Sequence, residues 1–329
     1  GLMAIAIMLY HLVSWIFAPL HPETLLGRFG VYSVSVFFIL SGLSMAIVYD
    51  VYIKNVRTTT AFFLKRILRI WPLLWVCILL FVIIERGGPG SPGPLKIFMN
   101  ATTLFAVFDP TGYINVGAWS IGNEIFYYLL TPIILYAYRV RLRGNMLLIA
   151  TLLILVYFAF TYDQGAAMAD QWGRYVNPFN NLFLYVLGFG IYYNLKSVKL
   201  PLLSSLGLII GAMLIFIFLP TGDERLSLIS GWHRLVFVLA AMLLVTGFYK
   251  FNGSKLVPAV IANTLEKFGL ATYGVYLLHP LVFVFCNKGL SVARINNKLA
   301  LLGGTVVITV VAALLSYFFF ERRVTQYGN

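Results

Sequence analysis

The sequence predicts an all-α fold: a multi-pass transmembrane helical bundle of about ten spans, with the N- and C-termini cytoplasmic. Three observations support this class. The 329 residues are 60% hydrophobic, with a mean hydropathy of +0.89. Only 11% of them are charged, whereas soluble domains carry about 25%. Apolar runs long enough to cross a bilayer recur along the chain, so we expect one integral-membrane domain over residues 1–329.

The apolar runs define the individual spans, and we expect the sequence to begin just inside the first of them. The segment 95–118 is apolar but is broken by Asp109-Pro110 and Gly112, so it is predicted to be interfacial or re-entrant. The predicted spans are about 2–18, 31–53, 68–84, 119–138, 146–162, 179–194, 201–219, 235–249, 270–287 and 299–320.

The charge distribution gives the orientation. With the N-terminus inside, 15 of the 24 Lys and Arg residues lie on the cytoplasmic side, as the positive-inside rule requires. This asymmetry accounts for most of the net charge of +13, so we expect a lipid bilayer as partner and no nucleic acid. Cys77 and Cys286 lie in apolar runs, and no cluster of Cys and His indicates a metal site.

A polar stripe crosses the predicted fourth span. Ser120, Glu124 and Tyr128 recur at every fourth residue and therefore share one face of a helix. A carboxylate at the centre of a membrane helix costs about 2.5–3.5 kcal/mol on insertion scales, which favours a functional role for Glu124. A structural acid that is hydrogen-bonded inside the bundle is the alternative interpretation.

Two histidines also lie at membrane depth. His11 is about 15 Å along the first span and is a candidate general base for an acceptor hydroxyl. His279 forms a second polar stripe with Thr272 and Tyr276, beside a backbone carbonyl that Pro280 leaves without its helical donor. Helix packing is the alternative interpretation for both histidines.

Small and basic residues mark two further segments. Ser41 and Gly42 interrupt the second span, where small residues usually permit close helix contact. Arg66 and Arg69 are neighbours at the foot of the third span and could bind phosphate oxygens bidentately. Ordinary anchoring at the inner leaflet is the alternative for these arginines.

Together these segments resemble the acyltransferase 3 family of multi-pass membrane acyltransferases. The resemblance covers nearly the whole chain and depends on five motifs in the family's order. These are AIAIMLYH ending at His11, FFILSG over 37–42, Arg66 and Arg69 followed by Pro72, WSIGNEIFYYLLTP over 119–132, and FGLATYGVYLLHP over 268–280. The family also places an arginine eleven residues before the first histidine, which falls just before Gly1.

The resemblance implies transfer of an acyl group, most often acetyl from acetyl-CoA, to hydroxyls of surface or exported carbohydrates at the cytoplasmic (inner) membrane, without a metal. His11 is then the base or the acyl recipient, and Glu124 orients it or the substrate. Separate glycan-assembly proteins are possible partners. The implied coenzyme A-binding residues are Arg66, Arg69, Ser41, Tyr276 and His279, and the implied substrate-binding residues are Trp119, Ser120 and Tyr127.

Two other functions remain open at this stage. A proton-coupled transporter or translocase of a sugar or lipid-linked intermediate could use His11, Glu124 and His279 as a proton relay. The absence of a detectable internal repeat counts against that function. An assembly subunit whose polar residues only pack helices is the third interpretation.

Overall fold

The computed structural model describes residues 1–88, 90–253 and 257–326, and these form helices, turns and loops without a strand. The predicted all-α class is confirmed. The helices are α1 Leu2–Ile16, α2 Leu25–Tyr49, α3 Val56–Ile84, α4 Pro94–Ala101, α5 Phe105–Phe108, α6 Ala118–Tyr138, α7 Arg141–Phe160, α8 Trp172–Val176, α9 Pro178–Leu195, α10 Leu202–Phe218, α11 Gly231–Lys250, α12 Ala259–Leu270, α13 Thr272–Val292, α14 Lys298–Ser316 and α15 Arg322–Gln326.

Each of the ten predicted spans corresponds to a helix. Among the described residues, six helices are long and apolar enough to cross a membrane: α2, α3, α7, α11, α13 and the run Lys298–Val324 that begins with α14. Two more, α1 and α10, are apolar but shorter. The other two, α6 and α9, are richer in polar and aromatic residues. Ten spans with both ends in the cytoplasm therefore remain a prediction.

Two boundaries differ from the sequence prediction. Helix α3 begins at Val56 rather than near residue 68, because Asn55 caps it by accepting from the Thr58 backbone N–H at 3.0 Å. Arg66 and Arg69 are therefore inside a helix instead of at its foot, and Pro72 lies in the helix interior. Helix α12, Ala259–Leu270, occupies a stretch that was predicted to be a loop, and its described residues include none that are buried. The predicted interfacial segment 95–118 contains the short helices α4 and α5.

The chain divides into two compact units. The first unit comprises Gly1–Leu20, Thr60–Ile125 and the described chain from Val260 onward. In it, α13 packs against α14 and α1, and α1 also contacts α14. The α1 face in this core carries Ala4, Ile7, Met8 and Leu12, none more than 1% exposed.

The second unit comprises His21–Thr59 and Phe126–Ala259. Helix α9 is its centre and packs against α2, α7 and α11. Glycines allow the closest of these contacts, because a Cβ on Gly42 would clash with the carbonyl of Tyr185, and one on Gly188 with the backbone of α2. Gly42, one of the small residues of the second span, therefore serves helix packing.

Candidate functional site

Two histidines from distant parts of the chain meet in the first unit. His11 Nδ1 lies 2.9 Å from His279 Nε2, a hydrogen bond between residues 268 positions apart. The rings are stacked, with centroids 5.2 Å apart and planes at 21°. Trp15, one helical turn beyond His11, stacks on both rings at 5.0 Å and 6.0 Å. His279 is fully buried, whereas His11 is partly exposed.

The contacts of His279 fix the tautomer of His11. His279 Nδ1 lies 3.2 Å from the carbonyl oxygen of Val275, and a carbonyl only accepts, so Nδ1 carries the proton. A neutral imidazole has a single N–H, and a fully buried ring without a counter-charge is neutral. His279 Nε2 is therefore an acceptor, and His11 Nδ1–H donates to it. The lone pair of His11 then resides on Nε2, the nitrogen that a general base needs.

The turn of α13 around Pro280 supports this arrangement. Pro280 has no N–H, so the carbonyl of Tyr276 loses its helical donor. The next carbonyl, that of Leu277, accepts from Asn115 Nδ2 at 2.9 Å. Two side chains therefore bond to backbone carbonyls in this turn, His279 to that of Val275 and Asn115 to that of Leu277.

The two predicted polar stripes meet at Ser120 and Tyr276. The hydroxyls lie 2.7 Å apart, and the Tyr276 hydroxyl lies 2.8 Å from the carbonyl of Gly117. Gly117 has φ +87°, and a Cβ there would lie 2.9 Å from that hydroxyl, so only glycine fits. Glu124 lies one turn beyond Ser120 on α6 and is partly buried. The Tyr276 and His279 rings are 6.2 Å apart, so the tyrosine adjoins the histidine pair.

A second charged region surrounds Tyr273 at the start of α13. Its hydroxyl donates to the carbonyl of Ile70 on α3 at 2.6 Å. Glu124, Glu321 and Arg69 all act electrostatically on this hydroxyl. Tyr273 is about 9 Å along α13 from His279 at 1.5 Å per residue.

Comparison with known proteins shows which family the helices that carry these residues belong to. The family model described as an acyltransferase domain matches residues 1–320. The chain belongs to the acyltransferase 3 family. One curated relative is Nodulation protein 10 of Rhizobium leguminosarum bv. viciae, 26% identical over a stretch that covers 45% of each chain. The chain thus matches less than half the length of that relative. No solved structure matches it.

The family model covers all ten predicted site residues, and eight of them lie in the first unit. Trp119 is buried at the start of α6. Arg66 is partly buried and Arg69 exposed, three residues apart on α3. The eight are His11, Arg66, Arg69, Trp119, Ser120, Glu124, Tyr276 and His279.

The other two predicted site residues lie in the second unit. Tyr127 is fully buried and donates to the carbonyl of Pro178 at 2.7 Å. Ser41 Oγ lies 3.5 Å from the Tyr128 hydroxyl, at the outer limit of a hydrogen bond. The hydrogen bond of Tyr127 to a backbone carbonyl fixes its side chain inside the unit, and its role in substrate binding stays a prediction.

Sequence reasoning missed two contributors to the site. Asn115 binds α13, and Phe283 packs on Trp15 with ring centroids 5.1 Å apart. Asn115 follows the break in segment 95–118 and has no helical periodicity that would mark it. Phe283 lies one turn after His279 on the same face of α13, so the spacing alone would have included it.

Proposed function

We propose that this acyltransferase moves an acyl group, with acetyl as the first candidate, from acyl-CoA to a hydroxyl of a surface or exported carbohydrate. The donor is bound at the cytoplasmic side of the inner membrane. The proposal depends chiefly on one observation: the hydrogen bond from His11 to His279, which leaves His11 Nε2 as a free acceptor within the helices that the family model matches.

The reaction needs one base and no metal. His11 Nε2 accepts the proton of the acceptor hydroxyl while the oxygen attacks the thioester carbonyl. The C–S bond then breaks, the proton passes from His11 to the leaving sulfur, and the products are an ester and free coenzyme A. General base catalysis of this kind contributes about 10²–10⁴-fold to the rate. Transfer through an acyl-histidine would use the same nitrogen.

The donor would be held from the Arg69 end of the first unit. Arg66 and Arg69 present guanidinium groups three residues apart, and Arg69 is exposed, which suits the phosphates of coenzyme A. Glu124 follows Ser120 by one turn of α6 in the same unit. Glu124 would therefore orient the donor or the acceptor, while His279 orients His11.

The remaining predicted site residues of the first unit would line the space where the donor and the acceptor meet. Tyr276 and Ser120 form a hydroxyl pair beside His279, where the thioester or the acceptor hydroxyl would bind. Trp119 lies next to Ser120 and would contact the acceptor. Separate glycan-assembly proteins would deliver or receive that acceptor.

Donor binding tests the proposal directly. Acetyl-CoA at about 100 times its Kd should stabilise the purified protein by about 2.7 kcal/mol. The Arg66→Ala/Arg69→Ala variant should lose most of this stabilisation. The matched control, Arg139→Ala/Arg143→Ala, removes two exposed charges from the same predicted side and should keep it.

Turnover separates catalysis from binding. His11→Ala should keep the stabilisation by acetyl-CoA but release free coenzyme A at least 100-fold more slowly in the presence of acceptor. A proton-coupled transporter would show neither effect and would instead move labelled solute into vesicles. Unchanged turnover in His11→Ala would exclude the base role.

A further inference from the structure

A polar cavity lies where α13 ends and α14 begins, away from the histidine pair. Its volume is about 360 Å³. Its polar lining consists of three amides, one hydroxyl and two cations, and the described lining contains no carboxylate: Asn287, Asn296, Asn297, Ser291, Arg294 and Lys298. This composition differs from the apolar faces that the neighbouring helices present.

The chemistry of the lining selects a class of ligand. Two cations without a carboxylate attract an oxyanion. The amides of Asn287 and Asn296 and the hydroxyl of Ser291 both donate and accept, which suits the hydroxyls of a sugar. A phosphate alone would need donors only, so the amide oxygens favour a hydroxyl-rich anion over a bare lipid phosphate.

Backbone hydrogen bonds hold the rim of the cavity in place. The N–H of Arg294 donates to Ser291 O at 3.0 Å, and that of Ile295 to Leu290 O at 2.9 Å. Arg294 has φ +55°, a left-handed conformation that glycine would adopt at lower energy. Asn297 caps α14 by accepting from Ala300 at 3.0 Å, so one side of the loop is tied to that helix. The guanidinium of Arg294 is thereby placed on the cavity wall.

The cavity lies at the opposite end of α13 from the arginine that would bind the donor. His279, Phe283 and Asn287 follow one another at every fourth residue, so the cavity begins about 12 Å along the helix from His279. Phe283 packs on Trp15, which stacks on both histidines. Tyr273, near Arg69, lies in the other direction along α13. Along α13, the histidine pair therefore lies between the cavity and the end near Arg69.

We infer that this cavity binds the acidic part of the carbohydrate acceptor, a sugar unit that bears a carboxylate or phosphate. The inference rests on the proposed acyl transfer and adds to it the position and the charge of the acceptor. Bound there, a glycan chain would extend along Phe283 and Trp15 toward His11 Nε2, while the thioester arrives from the Arg69 end.

A binding measurement without any donor tests the inference. Trigalacturonate should bind the purified wild-type protein, and the neutral trigalactoside should bind at least tenfold more weakly. The Arg294→Gln/Lys298→Gln variant should bind trigalacturonate at least tenfold more weakly than wild type. The matched control Lys96→Gln/Lys288→Gln removes two exposed cations of the same unit that do not line the cavity, and it should bind as wild type does.

The same measurements overturn the inference in three ways. These are equal binding of the two saccharides, no binding of either, and equal binding by the Arg294→Gln/Lys298→Gln variant. If the cavity binds a lipid headgroup, the protein in nanodiscs should lose trigalacturonate binding when phosphatidylglycerol replaces phosphatidylcholine. That result would also overturn the inference. If the wild-type protein bound the saccharides in this charge-dependent way but transferred no acyl group, the proposed function would be refuted and the inference about the cavity would stand.

Discussion

The two units place polar side chains among their helices in different ways. In the first unit, His11 binds His279, a partner that can itself donate or accept a proton. In the second unit, Arg28 is 2% exposed and its guanidinium donates to backbone carbonyls of Phe216, Ile217 and Leu219 at 2.9, 3.0 and 2.6 Å. These carbonyls end α10, so Arg28 caps that helix.

This difference shows how a polar residue at membrane depth should be interpreted. Arg234 is another buried cation of the second unit, and it binds Asn180 Oδ1 at 2.9 Å and lies over the ring of Tyr175. Carbonyls and amides at these distances hold the cations in place but take up no proton at neutral pH. The histidine pair, by contrast, leaves an accepting nitrogen. The nature of the partner, more than the depth, therefore separates a catalytic candidate from a structural residue.

Replacing Arg28 with Met should produce the largest effect. The side chain keeps its length, but four backbone carbonyls, that of Pro22 and the three at the end of α10, lose their donor, at about 1–3 kcal/mol for each buried group left unsatisfied. We expect the free energy of unfolding to fall by about 3 kcal/mol in SDS titrations. Turnover per folded molecule should be unchanged.

Arg143→Met is the control for this variant, because it removes an exposed cation of the same unit and should leave stability unchanged. If Arg28→Met instead kept full stability and lost acyl transfer, the comparison between the units would be wrong. Arg28 would then be a functional residue, as is proposed for the histidines, and not a structural one.

Removing the partner of His11 should have the next largest effect. His279→Leu leaves His11 free to take the other tautomer, and loss of an orienting partner of this kind typically costs 10–100-fold. We expect kcat to fall by that factor with the KM for acetyl-CoA unchanged. His279→Gln can accept from His11 and donate to the Val275 carbonyl, so it should recover part of the activity.

The two variants separate positioning from other roles of His279. A rise in the KM for acetyl-CoA at unchanged kcat would place His279 in the donor site, as the sequence resemblance implied. Equal losses in the Leu and Gln variants would point to packing alone. His233→Leu is the control, because His233 contacts the Pro220 carbonyl in the second unit and should not affect kcat.

The sequence predicted the presence of the long helices correctly, but it predicted the start of α3 about twelve residues too late. Apolar periodicity located ten helices because each buries or exposes a continuous hydrophobic surface. The third span was predicted to begin near residue 68 because the continuous apolar run begins there, after the polar and basic residues of 56–67. The stronger local signal was Asn55, three residues before Thr58, which caps the helix. Helix α12 was missed because its apolar run is short and flanked by polar residues.

The sequence could list the site residues but could not pair them. The stripes of α6 and α13 follow from helical spacing, which places Ser120 with Glu124 and Tyr276 with His279. That Ser120 bonds to Tyr276, and His11 to His279, depends on the packing of helices far apart in the chain. No spacing rule reaches across 268 residues. The buried state of Arg28 was hidden for the same reason, since its carbonyl partners are also distant in sequence.

The smallest expected effect concerns Asp50, a titratable group in the second unit. Asp50 follows α2 and accepts hydrogen bonds from Tyr193, from Tyr192 at 3.2 Å and from Lys196 at 3.2 Å. Burial alone would raise its pKa, but the hydrogen bonds from Tyr193 and Lys196 and the charge of Lys196 outweigh burial, so the pKa lies below its ordinary value of 3.8. Asp50 therefore stabilises the fold above that value, and this contribution is lost as the pH falls through the lowered pKa.

Asp50→Asn sharpens the comparison, because it tests whether a titratable group held only by structural partners affects catalysis. Lys196 is 43% exposed, so we expect a loss of unfolding free energy below about 1 kcal/mol at pH 7 and no change in kcat. The difference from wild type should shrink as the pH falls below 3.8, whereas Asp170→Asn, at an exposed site, should show none at any pH. A fall in kcat at unchanged stability would mean that Asp50 acts in the reaction itself. Proton transfer would then not be confined to the first unit.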